Sequence, residues 1–120
     1  MCVCVFVCVR CWTDDRRPKA QPDALPAVRH TQHTILTFAK ADSHVLIQDN
    51  SYYRLRRFAE NELPKRGIEV TFYDPRQDIT SLIRSNTSLI MIETPGSITF
   101  EISNIEHIVK VAKEHKIVCV

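Results

Sequence analysis

The sequence predicts an α/β fold, a parallel-sheet segment with flanking helices, on three observations. From residue 30 onward, apolar runs of strand length alternate with amphipathic stretches of helix length. One of the runs, Ser88 to Glu93, is nearly all apolar, as a strand covered on both faces is. Residues that start and stop helices fall at the joints between the two kinds of segment.

The elements follow in order. "TQHTILTFAK" reads as a helix and "HVLIQ", His44 to Gln48, as the first strand. "YYRLRRFAENELPKRG" reads as a helix ending at Gly67, which suits a left-handed C-cap, and "IEVTFYD" as the second strand. "DITSLIRSN" opens with an aspartate able to cap a short helix, and "SLIMIE", Ser88 to Glu93, is the third strand. In "SNIEHIVKVAKEHK", Ser103 and Glu106 have capping-box spacing, and Ile105, Ile108, Val109 and Ala112 fall on one helix face. "IVCV" is the fourth strand. An α-β-α-β-α-β-α-β series with right-handed crossovers winds into a parallel sheet covered by helices.

In such a sheet, ligands sit beyond the carboxyl ends of the strands. Three loops should gather there, beginning at Gln48-Asp49-Asn50-Ser51-Tyr52, at Tyr73-Asp74-Pro75 and at Glu93-Thr94-Pro95-Gly96-Ser97. The last carries one of the chain's two glycines directly after its most apolar run. That turn is expected to wall a ligand crevice.

Composition limits the partners. A chain of 120 residues, 44% hydrophobic and 25% charged, suffices for one domain with a modest core. A net charge of +2 without a long like-charged block gives no drive towards nucleic acid, and Arg54, Arg56 and Arg57 read as a solvated helix face. No apolar stretch approaches the roughly 20 residues that span a bilayer, so no membrane partner is expected. "MCVCVFVCV" lacks the basic start and small-residue cleavage pattern of a secretory leader, which makes the cytoplasm the default location.

Residues 1–26 differ in kind from the rest. A Cys/Val alternation gives way to the proline-containing stretch "WTDDRRPKAQPDALP", so we expect an unrelated, disordered tail over 1–26 and the folded unit over 27–120. Four of the five cysteines lie in the first eleven residues, too clustered to staple the body of the domain. Cys4, Cys8 and Cys11 raise a zinc site, but thiolate sites come as two pairs with a loop between. His30 and His33 share a helix face without carboxylates nearby in sequence and read as solvated. No metal site is assigned.

Four segments carry a family resemblance: "FAKADSHVLIQDNSYY", "RRFAENELPKRGIEVTFYDP", "IETPGSITFEI" and "IEHIVKVAKEHKIVCV". In order and spacing they resemble part of the large domain of the pyridoxal-phosphate enzymes of cysteine and methionine metabolism, the trans-sulfuration enzymes. The "PGSITFE" turn is most similar to the cystathionine β-lyase branch. The resemblance implies a fold-type I transferase-like domain, pyridoxal 5'-phosphate as cofactor, and a sulfur amino acid such as L-cystathionine as substrate of a homo-oligomeric full-length enzyme. It implies that Tyr52 stacks its ring on the cofactor's pyridine face and that Ser97 offers its side chain towards the ring's phenolic oxygen. Glu93 would help to shape the turn. The implied reaction is β-elimination, giving homocysteine, pyruvate and ammonia, with the cofactor as electron sink.

The chain also departs from the family pattern. The Schiff-base lysine and the aspartate that pairs with the pyridine nitrogen belong downstream of the last strand, and none of Lys19, Lys40, Lys65, Lys110, Lys113 or Lys116 stands at that lysine's position. No catalytic residue is therefore assigned. Relatives place glycine and small residues in the phosphate cradle where "LPAVRHTQH" stands, leaving Arg29 and His30 as the nearest candidates. Tyr53-Arg54-Leu55 replaces the family's Gly-Pro-Thr type of sequence. The expectation is a fragment, inactive as an isolated chain. Two rivals stand beside it: a non-catalytic α/β binding module, and a Cys-rich metal-binding or interaction protein. A dinucleotide site is excluded, because Gly67 and Gly96 cannot build Gly-x-Gly-x-x-Gly.

Overall fold

The computed structural model describes residues 26–97 and 99–120, with side chains from residue 30. The tail expectations, including Cys4, Cys8, Cys11 and the disorder of 1–26, lie outside the described residues except at Pro26, which opens the first helix, and the Arg29 side chain lies outside them as well. The predicted series is present except for the helix expected between the second and third strands: α1 (Pro26–Phe38), β1 (His44–Gln48), α2 (Tyr53–Asn61), β2 (Glu69–Tyr73), β3 (Thr87–Met91), α3 (Ile105–Glu114) and β4 (Val118–Cys119). Single 3-10 turns at Pro64–Arg66 and Thr80–Leu82 precede β2 and β3.

All three strand pairings are parallel, in the order β2-β1-β3-β4. β1 and β3 are central, which is why "HVLIQ" is buried at every position and β3 at all but Ser88. β2 is an edge strand whose first residue is exposed.

The sheet has a core on each face, because successive strand residues point to opposite sides. Val45, Ile47, Leu89 and Met91 pack with Ile35 and Ala39 near α1 and with Leu55 and Ala59 of α2. Leu46 and Ile90 face the other way, onto Ile79, Ile108, Val111, Ala112, Ile117 and Cys119. Helices on both faces of a parallel sheet are what the alternating pattern predicts.

Local signals are borne out at two joints and corrected at a third. Gly67 takes φ +71°, and its N–H donates to the carbonyl of Pro64, so a left-handed residue does stop the segment, though after a 3-10 turn. Asp78 accepts from the backbone and hydroxyl of Thr80, fixing a 3-10 turn in place of the expected short helix. The Ser103–Glu106 capping box does not form. Asn104 is the N-cap and accepts from the His107 N–H, while Ser103 is buried and bonds across the sheet to Gln48. The buried face of α3 is accordingly Ile108, Val111 and Ala112, with Ile105 and Val109 only part-buried.

Candidate functional site

The strand order sets where a ligand is expected. β1 leads through α2 to β2 on one side, and β3 leads through α3 to β4 on the other, so their exits diverge. This is the topological switch point at which open α/β sheets take ligands. The segments following Gln48 and Met91 meet there.

Their junction is made by Gln48, which is fully buried at the end of β1. Regular pairing with β3 stops at Ile47↔Met91. Beyond it the Gln48 side chain replaces the ladder: its amide nitrogen donates to the Glu93 carbonyl at 2.9 Å and to Asn50 Oδ1 at 2.5 Å. Its oxygen accepts from the Glu93 N–H at 3.3 Å and the Ser103 hydroxyl at 3.0 Å. Both donors and both acceptor sites are thereby used, the condition under which a buried amide is tolerated.

Glu93 joins the two predicted site residues. One carboxylate oxygen accepts the Tyr52 N–H at 2.9 Å, at the start of α2, where a helix favours a negative charge. The other accepts the hydroxyl proton of Ser97. The Ser97 N–H in turn donates to the Asn50 carbonyl at 3.0 Å. Tyr52 and Ser97, both part-buried, thus belong to one hydrogen-bonded unit although they are 45 residues apart in the chain.

Gly96 is required by packing. A Cβ there would lie 2.1 Å from Asn50 Nδ2 and 2.6 Å from Cγ. That amide is held in place by Gln48, by Thr99 Oγ1 at 3.0 Å and by Glu101 Oε2 at 3.0 Å. The glycine that follows the most apolar run is there so that the β1 exit can lie against the turn.

The third loop closes the same end. Asp49 N–H donates to the Tyr73 carbonyl, and the buried Tyr73 hydroxyl donates to the Met91 carbonyl at 3.0 Å. Burial pushes that phenol well above its ordinary range, so it is a structural donor and not an acid. Arg76 forks onto Asp74 and lies 3.6 Å from Glu101, and its hydrogen bonds to Asp74 hold that carboxyl below its ordinary value.

The structure therefore brings Tyr52 and Ser97 together. It adds Gln48, Asn50 and Ser103 to the expected Glu93 as the groups that hold them, and the Gln48 hub was missed by sequence reasoning. A signal was present: a polar residue ending a continuously apolar central strand must be paired when buried. His30 and His33 are exposed, and among the described residues no three His, Cys, Asp or Glu side chains come together as a metal site. Arg56 lies 4.3 Å from the centre of the Phe72 ring and bonds the Asp49 carbonyl, so part of the basic helix face is structural. Among the described residues, no helix is long and apolar enough to cross a membrane.

Comparison with known proteins fits this architecture. Residues 27–120 match the family described as Cys/Met metabolism PLP-dependent enzyme. An L-alanine/L-glutamate racemase of Wolbachia pipientis is 92% identical over 86 residues, 72% of this chain and 21% of that protein. A cystathionine β-lyase of Haemophilus influenzae is 40% identical over 84 residues, 68% of this chain and 21% of that protein. The chain spans about a fifth to a quarter of the length of the curated relatives it matches. A cystathionine γ-lyase structure from Lactobacillus plantarum superimposes with a TM-score of 0.73 at 23% identity, covering 77% of this chain and 24% of that one. An O-acetylhomoserine sulfhydrylase from Wolinella succinogenes gives 0.70 at 24% identity, over 77% of this chain and 26% of that one. With the family matched over residues 27–120 and the same fold in solved structures, the chain belongs to the pyridoxal-phosphate-dependent enzymes of cysteine and methionine metabolism.

Proposed function

We propose that residues 27–120 form the ring-facing wall of a pyridoxal-phosphate site in an enzyme that breaks the Cα–H bond of an amino acid. The observation that carries the reading is the meeting of Tyr52 and Ser97 at the β1/β3 switch point, joined through Glu93. The residues present fit the ring of such a cofactor. Tyr52 supplies a part-buried aromatic surface, and the adjacent Ser51 is buried with a hydroxyl that has no partner, a group that a polar ligand atom would satisfy. Ser97 gives its one proton to Glu93, so towards a ligand its oxygen is left to accept. When bound, the cofactor supplies the electron sink for the charge left at Cα. Tyr52 and Ser97 hold and orient the ring, and Glu93 keeps both in place.

Two outcomes of Cα–H cleavage are open to such a site. Identity of 92% to an alanine/glutamate racemase favours return of the proton to the opposite face. Relatives named cystathionine β-lyase at 33–40% identity favour β-elimination from a sulfur amino acid, the reading first drawn from the "PGSITFE" turn. No lysine lies in the strand-exit segments 48–52 or 93–103, so this wall would hold the ring without itself supplying an amine to it. The reading includes the division at Pro26 and a cytoplasmic, homo-oligomeric full-length enzyme.

Titration of the chain with pyridoxal phosphate tests the site. We expect a saturable shift of the Tyr52 ring and Ser97 amide resonances, the latter weakened in Tyr52→Ala; no saturable change in the parent chain would overturn the reading. A full-length relative carrying this segment separates the activities. D-alanine formed from L-alanine, with deuterium at Cα in D2O, supports the racemase, and pyruvate from L-cystathionine supports the lyase.

A further inference from the structure

We propose that Gln48 is a positioning residue that fixes the spacing of Tyr52 and Ser97, acting through the backbone of Glu93 and the side chain of Asn50. The inference rests on the proposed ring-facing wall for its functional meaning, but its geometry stands by itself. Parallel pairing of β1 with β3 ends one residue earlier, at Ile47↔Met91. Without a further tie, the two exits would be free to separate where the crevice needs a fixed width.

The tie is one fully buried side chain that grips both the N–H and the carbonyl of Glu93. With the Glu93 backbone held, its carboxylate meets the Tyr52 N–H on one side and the Ser97 hydroxyl on the other. The second donor of Gln48 holds Asn50, whose carbonyl accepts the Ser97 N–H. Each arm of the wall therefore traces back to the same amide by two hydrogen bonds. Ser103, reached by the Gln48 oxygen, adds the segment that leads into α3. A buried amide with all four valences spent in this way specifies geometry, because any shift of either exit leaves a polar group unpaired.

Amide hydrogen exchange on the isotopically labelled full chain tests this, since it reads the exits and the core separately. In Gln48→Met, of similar length and without hydrogen bonds, we expect the Tyr52 and Ser97 amides to exchange at least about tenfold faster. The amides of Leu46 and Ile90 should change less. A uniform change at all four, or unchanged Tyr52 and Ser97, would mean an ordinary buried polar group and overturn the proposal. If Gln48→Met does not fold, Asn50→Ala decides: the Gln48 grip on the Glu93 backbone remains while the arm through the Asn50 side chain is cut and the Asn50 carbonyl that accepts the Ser97 N–H is kept. Ser97 exchange should then rise by a similar factor with the Leu46 rate preserved, and an unchanged Ser97 rate overturns the proposal. Pyridoxal phosphate titration of the parent chain is read independently. Absent binding with the expected exchange pattern would defeat the cofactor site and leave the clamp standing.

Discussion

Replacing Gly96 by alanine adds a single methyl group at the closest approach of the two strand exits. The new Cβ would lie 2.1 Å from Asn50 Nδ2, 2.6 Å from its Cγ and 3.1 Å from its Oδ1, so the Asn50 amide must turn away. A free side-chain tip would move at little cost. This one makes three hydrogen bonds, to Gln48, Thr99 and Glu101, of which the first is part-buried and the second exposed. At about 0.5–1.5 kcal/mol net each, discounted for the exposed partner, the substitution should cost about 1–3 kcal/mol. For a domain of this size that lowers the melting midpoint by about 4–8 °C per kcal/mol, measurable by circular dichroism or urea titration. The decisive comparison is a double-mutant cycle. Asn50→Ala removes every atom the new methyl meets, so Gly96→Ala added to it should cost no more than about 0.5 kcal/mol. Strictly additive losses, or a Gly96→Ala variant as stable as the parent, would refute the account of why glycine stands there.

Two further outcomes follow from the electrostatics. His44 is fully buried, its ring nitrogens 2.8 Å from Thr87 Oγ1 and 2.9 Å from Thr71 Oγ1, and burial, with a smaller push from Arg84 against an opposing pull from Glu69, holds it below its ordinary 6.5. The unfolded chain therefore takes up that proton first as the pH falls, so stability is full above about 6.5 and declines below it. The slope of unfolding free energy below that pH should flatten in His44→Gln; an unchanged slope would assign the loss to other groups. Asp78 is held at about 2 by the Thr80 hydroxyl first, then the Thr80 N–H and His107. Its carboxyl carbon should titrate near that value by NMR, and Thr80→Val should raise it towards 3.8, whereas an identical curve in the variant would remove the hydroxyl as the principal cause.

The amino-acid pattern by itself determined the elements and their order. β1 and β3 announce themselves by the apolar runs Val45–Ile47 and Leu89–Met91, and Gly67 marks the stop before β2 through its left-handed backbone. These are local signals, legible because a strand, a helix face and a C-cap each impose a period or a backbone angle on neighbouring residues. The position of Tyr52 at the β1 exit and of Ser97 after β3 could be placed on the same grounds, as loop residues at strand ends. Where two local readings competed, the pattern misled. Ser103 satisfies a capping-box spacing, yet the hydroxyl gains more by entering the core beside Gln48, and Asn104 takes over the cap.

Only the tertiary structure decided which strands are neighbours and therefore which loops meet. The sequence order β1, β2, β3 gives no sign that β3 lies beside β1 and leaves β2 at the edge. Once it does, Gln48 comes within reach of Glu93, 45 residues away, and of Ser103, 55 residues away, and Glu93 comes within reach of Tyr52. Hydrogen bonds of that kind carry no periodicity, since their partners are chosen by sheet register and not by chain spacing. For that reason a glutamine that looks like the polar end of a strand proves to be the residue that ties the β1 and β3 exits together.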